Sequence, residues 1–127
     1  MTTAQKIDGP VVDDHPAAVN EVRLVGRLAD EPRLRELSSG DSLWTLRVVV
    51  GRPALAEGER PRQRVDTLEC AVWSGRLKKQ VPRWAAGDVV EVSGALRRRF
   101  FQAAGATASR VEVELSTGRI IRRARSG

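Results

Sequence analysis

The side chains of this sequence best suited to chemistry are aromatic rings and guanidinium groups. The chain has three tryptophans, two phenylalanines and no tyrosine, with arginine supplying nearly all of its positive charge. Aromatic faces stack on unpaired bases, at about 1–3 kcal/mol per base whatever the base. Guanidinium groups bind phosphates bidentately and can also lie over a ring. Trp73 and Phe101 are the candidate stacking residues. Trp73 has the strand parity opposite to Leu68, Cys70 and Val72, which should carry it out of the core. Phe101 follows Arg97-Arg98-Arg99-Phe100, and Phe100, sharing the parity of Leu96, is expected to turn inward. Arg47, Arg97 and Arg99 sit at solvent-facing strand positions. Arg27 closes the first strand, and Arg60, Arg62 and Arg64 populate a long polar loop. The nucleic-acid-binding set is therefore Trp73, Phe101, Arg47, Arg97, Arg99, Arg27, Arg62 and Arg64. Arg47 could instead be spent on Glu69 across the strands. Trp44 and Trp84 are read as core.

Catalysis finds no footing in the sequence. His15, the single histidine, stands among prolines near the N-terminus, and Cys70, the single cysteine, has core parity on a strand. One His and one Cys cannot form the usual structural zinc set, so neither a metal nor a cofactor is expected. Asp13-Asp14 is a tail pair. Glu112 and Glu114 alternate on one strand face without an acid–base setting. No Gly-x-x-x-x-Gly-Lys-Ser/Thr phosphate loop occurs.

The 127 residues favour one domain, and the formal charge of +6 suits a polyanionic partner. That charge is uneven: residues 1–20 carry one lysine against three aspartates, residues 97–127 eight arginines against two glutamates. No apolar run is long enough to span a bilayer, and the first residues lack the pattern of a secretory signal. A cytoplasmic, nucleoid-associated protein that avoids membranes is the expectation, and a lone thiol fits a reducing compartment.

The elements that must position these groups read as strands. Residues 1–19 form an aperiodic tail with Gly9, Pro10 and Pro16. Alternation begins at Asn20 and runs to Leu28. A short stretch, Leu34–Leu37, leads to the turn Ser38-Ser39-Gly40-Asp41, and a second strand covers about 43–50. A long loop, 52–64, precedes a third strand at about 65–73. Leu77, Val81 and Trp84 share one face of a short helix limited by Pro82 and Gly87-Asp88. The fourth strand spans Val89 to about Phe101, a small flexible segment follows, and the fifth covers about 110–115. Ser116-Thr117-Gly118 then turns into a fraying basic end. The resulting domain is 20–115, with 116–127 a basic C-terminal end. Five strands with a helix between the third and fourth is the connectivity of an all-β, five-stranded OB-fold barrel.

On these residues the chain resembles the bacterial single-stranded DNA-binding proteins. Asn20-Glu21-Val22-Arg23-Leu24-Val25-Gly26-Arg27-Leu28 followed by Glu31-Pro32 is similar to that family's opening strand. Ser39-Gly40 before Trp44-Thr45-Leu46 resembles its second hairpin, Cys70-Ala71-Val72-Trp73 its third strand, and Gly87-Asp88-Val89-Val90-Glu91-Val92-Ser93-Gly94-Ala95-Leu96-Arg97 its fourth. The resemblance implies an OB barrel that assembles as a homotetramer and binds single-stranded DNA without sequence preference, in replication, recombination or repair. It also implies base contacts at Trp73 and Phe101. The chain departs from the family at Thr67, where an aromatic residue is usual, and in Glu69 on the same face. It ends on Arg122-Arg123-Ala124-Arg125-Ser126-Gly127 rather than an acidic tip, so partners recruited through such a tip are not expected. Thr67 and Glu69 motivate an alternative: an OB-fold interaction module, a replisome or primosome adaptor with incidental nucleic-acid affinity. Charge and stacking do not separate DNA from RNA, which leaves an RNA-binding OB domain as a third reading.

Overall fold

Alternating burial along the first strand sets the pattern of the molecule. In the computed structural model, which describes residues 16–53 and 64–125, β1 (Val22–Leu28) turns every second side chain inward and ends on Leu28, fully buried. β2 (Arg33–Glu36) is short and exposed throughout. β3 (Ser42–Gly51) and β4 (Val65–Val72) pair antiparallel, with Leu46 opposite Cys70 and Val48 opposite Leu68. α1 (Arg76–Gln80) is followed by a 3-10 turn, Val81–Arg83. Pro82 lacks the N–H that would continue the α ladder, so the helix tightens and stops there. β5 (Val89–Ala103) and β6 (Ala106–Arg122) form a long antiparallel hairpin.

The sheet order is β1-β5-β6-β4-β3-β2, and pairing of β1 with β3 closes it into a barrel of five strands with β2 at its edge. The β4–β6 pairing is parallel, because strand direction cannot alternate all the way round a closed ring of five strands. One hydrophobic cluster fills the interior, built from strand residues such as Leu28, Leu46, Val48, Val72, Val90, Val92, Val113 and Leu115. Leu77, Val81 and Trp84 join it from the helix and plug one end; all three are 6% exposed or less. Burying a side chain of this size contributes roughly 1.5–3 kcal/mol, which is how so short a helix is held. Trp84 meets its core expectation, whereas Trp44 is half-buried and packs against the cluster from its margin.

Three features differ from the sequence reading. The stretch after Pro32 is a strand, because Arg33–Glu36 finds a ladder partner in Ser42–Thr45. The segment after Phe101 is not loose: β5 continues to Ala103 and turns through Ala104 and Gly105, both at positive φ, the requirement of the tight two-residue hairpin turn. β6 does not end at Leu115. Its pairing with β5 is irregular between Ser93 and Gly94, where Ser116 is skipped, and between Val89 and Val90, where Ile121 is skipped, and β6 stays paired to Arg122. At the first of these Gly94 lies against the Glu114 carbonyl, where any Cβ would collide with backbone.

Candidate nucleic-acid interface

The outer faces of β3, β4, β6 and β5 lie side by side, and strand parity decides what they carry. Arg47 on β3 stands opposite Glu69 on β4, and their side chains pair at 2.9 Å. Glu114 on β6 lies beside Ala71. Arg97 on β5 is opposite Glu112, and Arg99 opposite Arg110. Trp73 directly follows β4 and is half-buried. The Arg99 guanidinium lies 5.1 Å from the centroid of its ring. Arg99 also donates to Glu112 (3.2 Å) and Glu114 (2.7 Å), and Arg97 donates to Glu114 at 3.2 Å. Phe101, 43% exposed, has Arg110 at 5.7 Å from its ring centroid. The Trp73 indole N–H is buried without a hydrogen-bond acceptor.

This face thus combines one exposed ring, Phe101, one half-buried ring, Trp73, beneath Arg99, four arginines and three carboxylates. Glu112 is 6% exposed beneath Arg99 and Arg110. Each arginine has a carboxylate partner, so the field of the face is largely cancelled in the free protein. The links to Glu69 and Glu114 are weak, since an exposed ion pair is worth about 0–1 kcal/mol and a partly exposed cation–π contact roughly 0.5–1 kcal/mol; the buried Glu112 keeps Arg110 as a partner when Arg99 moves. A base stacked on a ring is worth more, about 1–3 kcal/mol. The arginines are held in place, but not so firmly that a ligand could not take them over.

The residues singled out from sequence are distributed unevenly. Trp73, Phe101, Arg97 and Arg99 come together, with Arg47 on the neighbouring strand of the same face. Arg27 lies further across, opposite Val49, which is opposite Thr67; this row has no aromatic ring. Arg64 is exposed at the foot of β4, where its carbonyl accepts the Arg52 N–H at 2.8 Å. Arg62 lies outside the described residues. Phe100 does not turn inward. Its parity is that of the core face, but the hairpin has overshot the barrel by then, so the ring is 69% exposed. Sequence reasoning missed Arg110 and the counter-ion role of Glu112 and Glu114. Pairing β5 with β6 in register would have revealed both, but the register depends on where the hairpin turns.

Cys70 is 2% exposed, and burial, reinforced by Glu69 and Glu112, pushes its thiol up to about 12. Among the described residues no group of three or more His, Cys, Asp or Glu side chains could hold a metal ion. No described helix is long and apolar enough to cross a membrane.

A model of the single-strand binding protein family matches residues 19–121. The chain belongs to the single-strand binding protein family. The matched stretch runs from just before β1 to the last residue but one of β6. A single-stranded DNA-binding protein of Oceanobacillus iheyensis is 28% identical over 84 residues, covering 66% of this chain and 51% of that protein. Single-stranded DNA-binding protein 3 of Listeria innocua is 31% identical over 85 residues, covering 66% and 51%. The chain therefore spans about half the length of these relatives. A solved Plasmodium falciparum SSB in complex with ssDNA superimposes with a TM-score of 0.67 at 20% identity, covering 85% of this chain and 97% of that one, a likeness of fold.

Proposed function

We propose that this chain binds single-stranded DNA without strong sequence preference, by base stacking and phosphate contacts on the outer barrel face. The observation that carries the reading is the convergence of Trp73, Phe101, Arg97 and Arg99 on one open surface of an OB barrel. The names of the family relatives support the same ligand. On binding, a base displaces Arg99 from the Trp73 ring, and the freed guanidinium turns to a phosphate. The exchange is favourable because stacking outweighs the cation–π contact it replaces. The protein acts as a homotetramer in the cytoplasm, on strands exposed in replication, recombination or repair, and no reaction is assigned to it.

The test is tryptophan fluorescence during titration with oligo-dT at two salt concentrations, with duplex as control. Trp84 is buried and Trp44 packs against the core cluster, which leaves Trp73, beside Arg99 on the outer face, as the main reporter. Strong quenching by oligo-dT that weakens with salt, and little with duplex, is expected. Trp73→Ala and Phe101→Ala should each weaken binding about 5- to 150-fold, the equivalent of 1–3 kcal/mol per base. Light scattering should give four times the 13.9 kDa chain mass. Equal, weak responses to both nucleic acids would overturn the reading and favour the interaction-module alternative, which the carboxylate-paired arginines of this face also suit. Competition between rU and dT oligomers decides the sugar.

A further inference from the structure

The excess positive charge of the folded part lies away from the face just described. At the helix end of the barrel, α1 and the 3-10 turn face the last stretch of β6 across an open groove of about 430 Å³. Arg76, Lys79 and Arg83 rim it on the helix side, Arg119 and Arg123 on the strand side. Its floor is the edge of Trp84 with Gly118 and Ile120. Two carboxylates serve these five cations: Glu91 pairs with Arg119 at 2.7 Å, and Asp88 with Arg123 at 3.2 Å. Asp88 is 1% exposed, so a ligand meets the arginine and not the acid. Arg76, Lys79 and Arg83 have no ion-pair partner among the described residues. Arg122 and Arg125 line an adjoining hollow that shares Arg123. The outer face, by contrast, sets three carboxylates against four arginines.

The groove is also connected to that face. A hollow bounded by Arg97, Glu114, Ser93 and Ser116 shares Ser93 with a second one bounded by Thr117, Gly118 and Arg119. The second shares Gly118 and Arg119 with the basic groove. The three hollows follow β6 from Glu114 to Arg119, five residues, or roughly 17 Å of strand. A compact anion would need only one of them. The first two hollows are balanced in charge, Arg23 and Arg97 against Glu21 and Glu114, and Arg119 against Glu91, so net positive charge builds only in the basic groove. A nucleic-acid strand held by its bases on the outer face and by its phosphates in the groove is the ligand whose length fits all three.

We infer that the groove between the short helix and the end of β6 is a second contact surface for single-stranded DNA, engaging the phosphates of a strand that continues from the outer face. This rests on the proposed function and adds a division of labour. The outer face holds bases with little net charge, and the helix-end groove supplies most of the counterion release. Trp84 is too buried to stack, so contact in the groove is through the backbone of the strand alone.

The test uses the full chain with Arg76→Gln, Lys79→Gln and Arg83→Gln combined, three exposed side chains without ion partners, whose removal should leave the fold intact. A double control, Arg35→Gln with Arg52→Gln, removes exposed arginines from β2 and from just beyond β3. Binding is followed by anisotropy on a long oligo-dT and on a strand of about 8 nucleotides, within the site size of a single OB fold. On the long strand the triple variant should lower the log–log salt slope by about 2, at about 0.7 for each phosphate no longer neutralised, and bind roughly tenfold more weakly at low salt. The short strand and the quenching amplitude of Trp73 should not change, and neither should either strand with the control. An unchanged long-strand affinity and slope would overturn the inference while leaving the outer face as the binding site. So would an equal loss in the control, which would assign the effect to net charge. A triple variant that keeps its oligo-dT affinity but loses binding to polyglutamate would overturn it in favour of an acidic protein segment. Failure of the unaltered protein to bind oligo-dT would be a different result, removing the proposed function itself.

Discussion

Arg99 covers the ring face of Trp73 that a base would otherwise meet, and it does so while bridging Glu112 and Glu114. One residue therefore sets both the electrostatics and the access of the site. Strand parity made half of this legible. Trp73, Arg47, Arg97, Arg99 and Phe101 were all assignable to the outer face, because alternation in β3, β4 and β5 is anchored by Leu46, Val48, Cys70, Val72, Val90 and Val92 inside. The Arg47–Glu69 pair was legible, since the two residues fall opposite each other on neighbouring strands; the partners of Arg97 and Arg99 were not, since they depend on which β6 residue lies opposite. Phe100 marks the limit of parity: its face was readable, but whether a core lay beneath it was not. Cys70 provides a test at this scale. Its thiol is buried and held near 12, so the native protein should fail to react with an aromatic disulfide reagent at pH 8. The same chain in denaturant should react fully, one thiol per chain. Rapid native reaction would mean that β4 opens.

The β5–β6 hairpin carries the most function of any element and was the least legible. Its first half is barrel wall and its second half a free ribbon that holds Phe101 and Arg110 out of the core. Alternation predicted strands on both sides of the turn, but the small residues 102–109 looked like loop, because a ribbon with no core beneath it needs no large apolar face. Ser116-Thr117-Gly118 looked like a turn for the opposite reason: the irregularities hide local residue preferences inside a paired strand. Gly94 lies at one of those irregularities, where the Glu114 carbonyl leaves no room for a Cβ. Gly94→Ala must push the two strands apart there, and overpacking of a fixed backbone contact costs about 1–3 kcal/mol or more. A melting temperature lower by roughly 10 °C is expected, since 1 kcal/mol shifts a domain of this size by about 4–8 °C. An unchanged melting temperature would show that the irregularity relaxes freely.

Across the whole molecule, Asp88 ties the end of the chain to the barrel. Its carboxylate accepts the Ala85 N–H (2.9 Å), the Ala124 N–H (2.8 Å) and Arg123 (3.2 Å), while its own carbonyl accepts the Leu28 N–H at 2.9 Å. The helix exit, the start of β5, the end of β1 and the C-terminal end of the basic groove thus meet at one buried acid. Burial alone would raise the Asp88 pKa. The hydrogen bonds from Ala124 and Ala85 and the charge of Arg123 outweigh it and hold the carboxyl below the usual range. Glu91, hydrogen-bonded by Arg23 and Arg119, is likewise lowered. For a carboxylate whose folded pKa is depressed, the unfolded chain takes up the proton first as pH falls. The stability it contributes is complete above the unfolded value, about 4, and is lost as pH falls through the folded one. The melting temperature should therefore change little on account of these two groups between pH 7 and about 5, then fall on further acidification. Asp88→Asn keeps the shape but turns one acceptor into a donor, which then faces either the Ala124 N–H or the Ala85 N–H together with the Arg123 guanidinium. It should cost about 1–3 kcal/mol at pH 7, the penalty for unsatisfied buried polar groups. The gap between variant and unaltered protein should narrow as pH falls toward 3, because the unaltered carboxyl is then losing the same interactions. A gap independent of pH would show that Asp88 acts through packing and not through its charge. The Ala124 amide would then be free to leave the barrel without loss of stability, and the strand side of the basic groove would not be fixed in place.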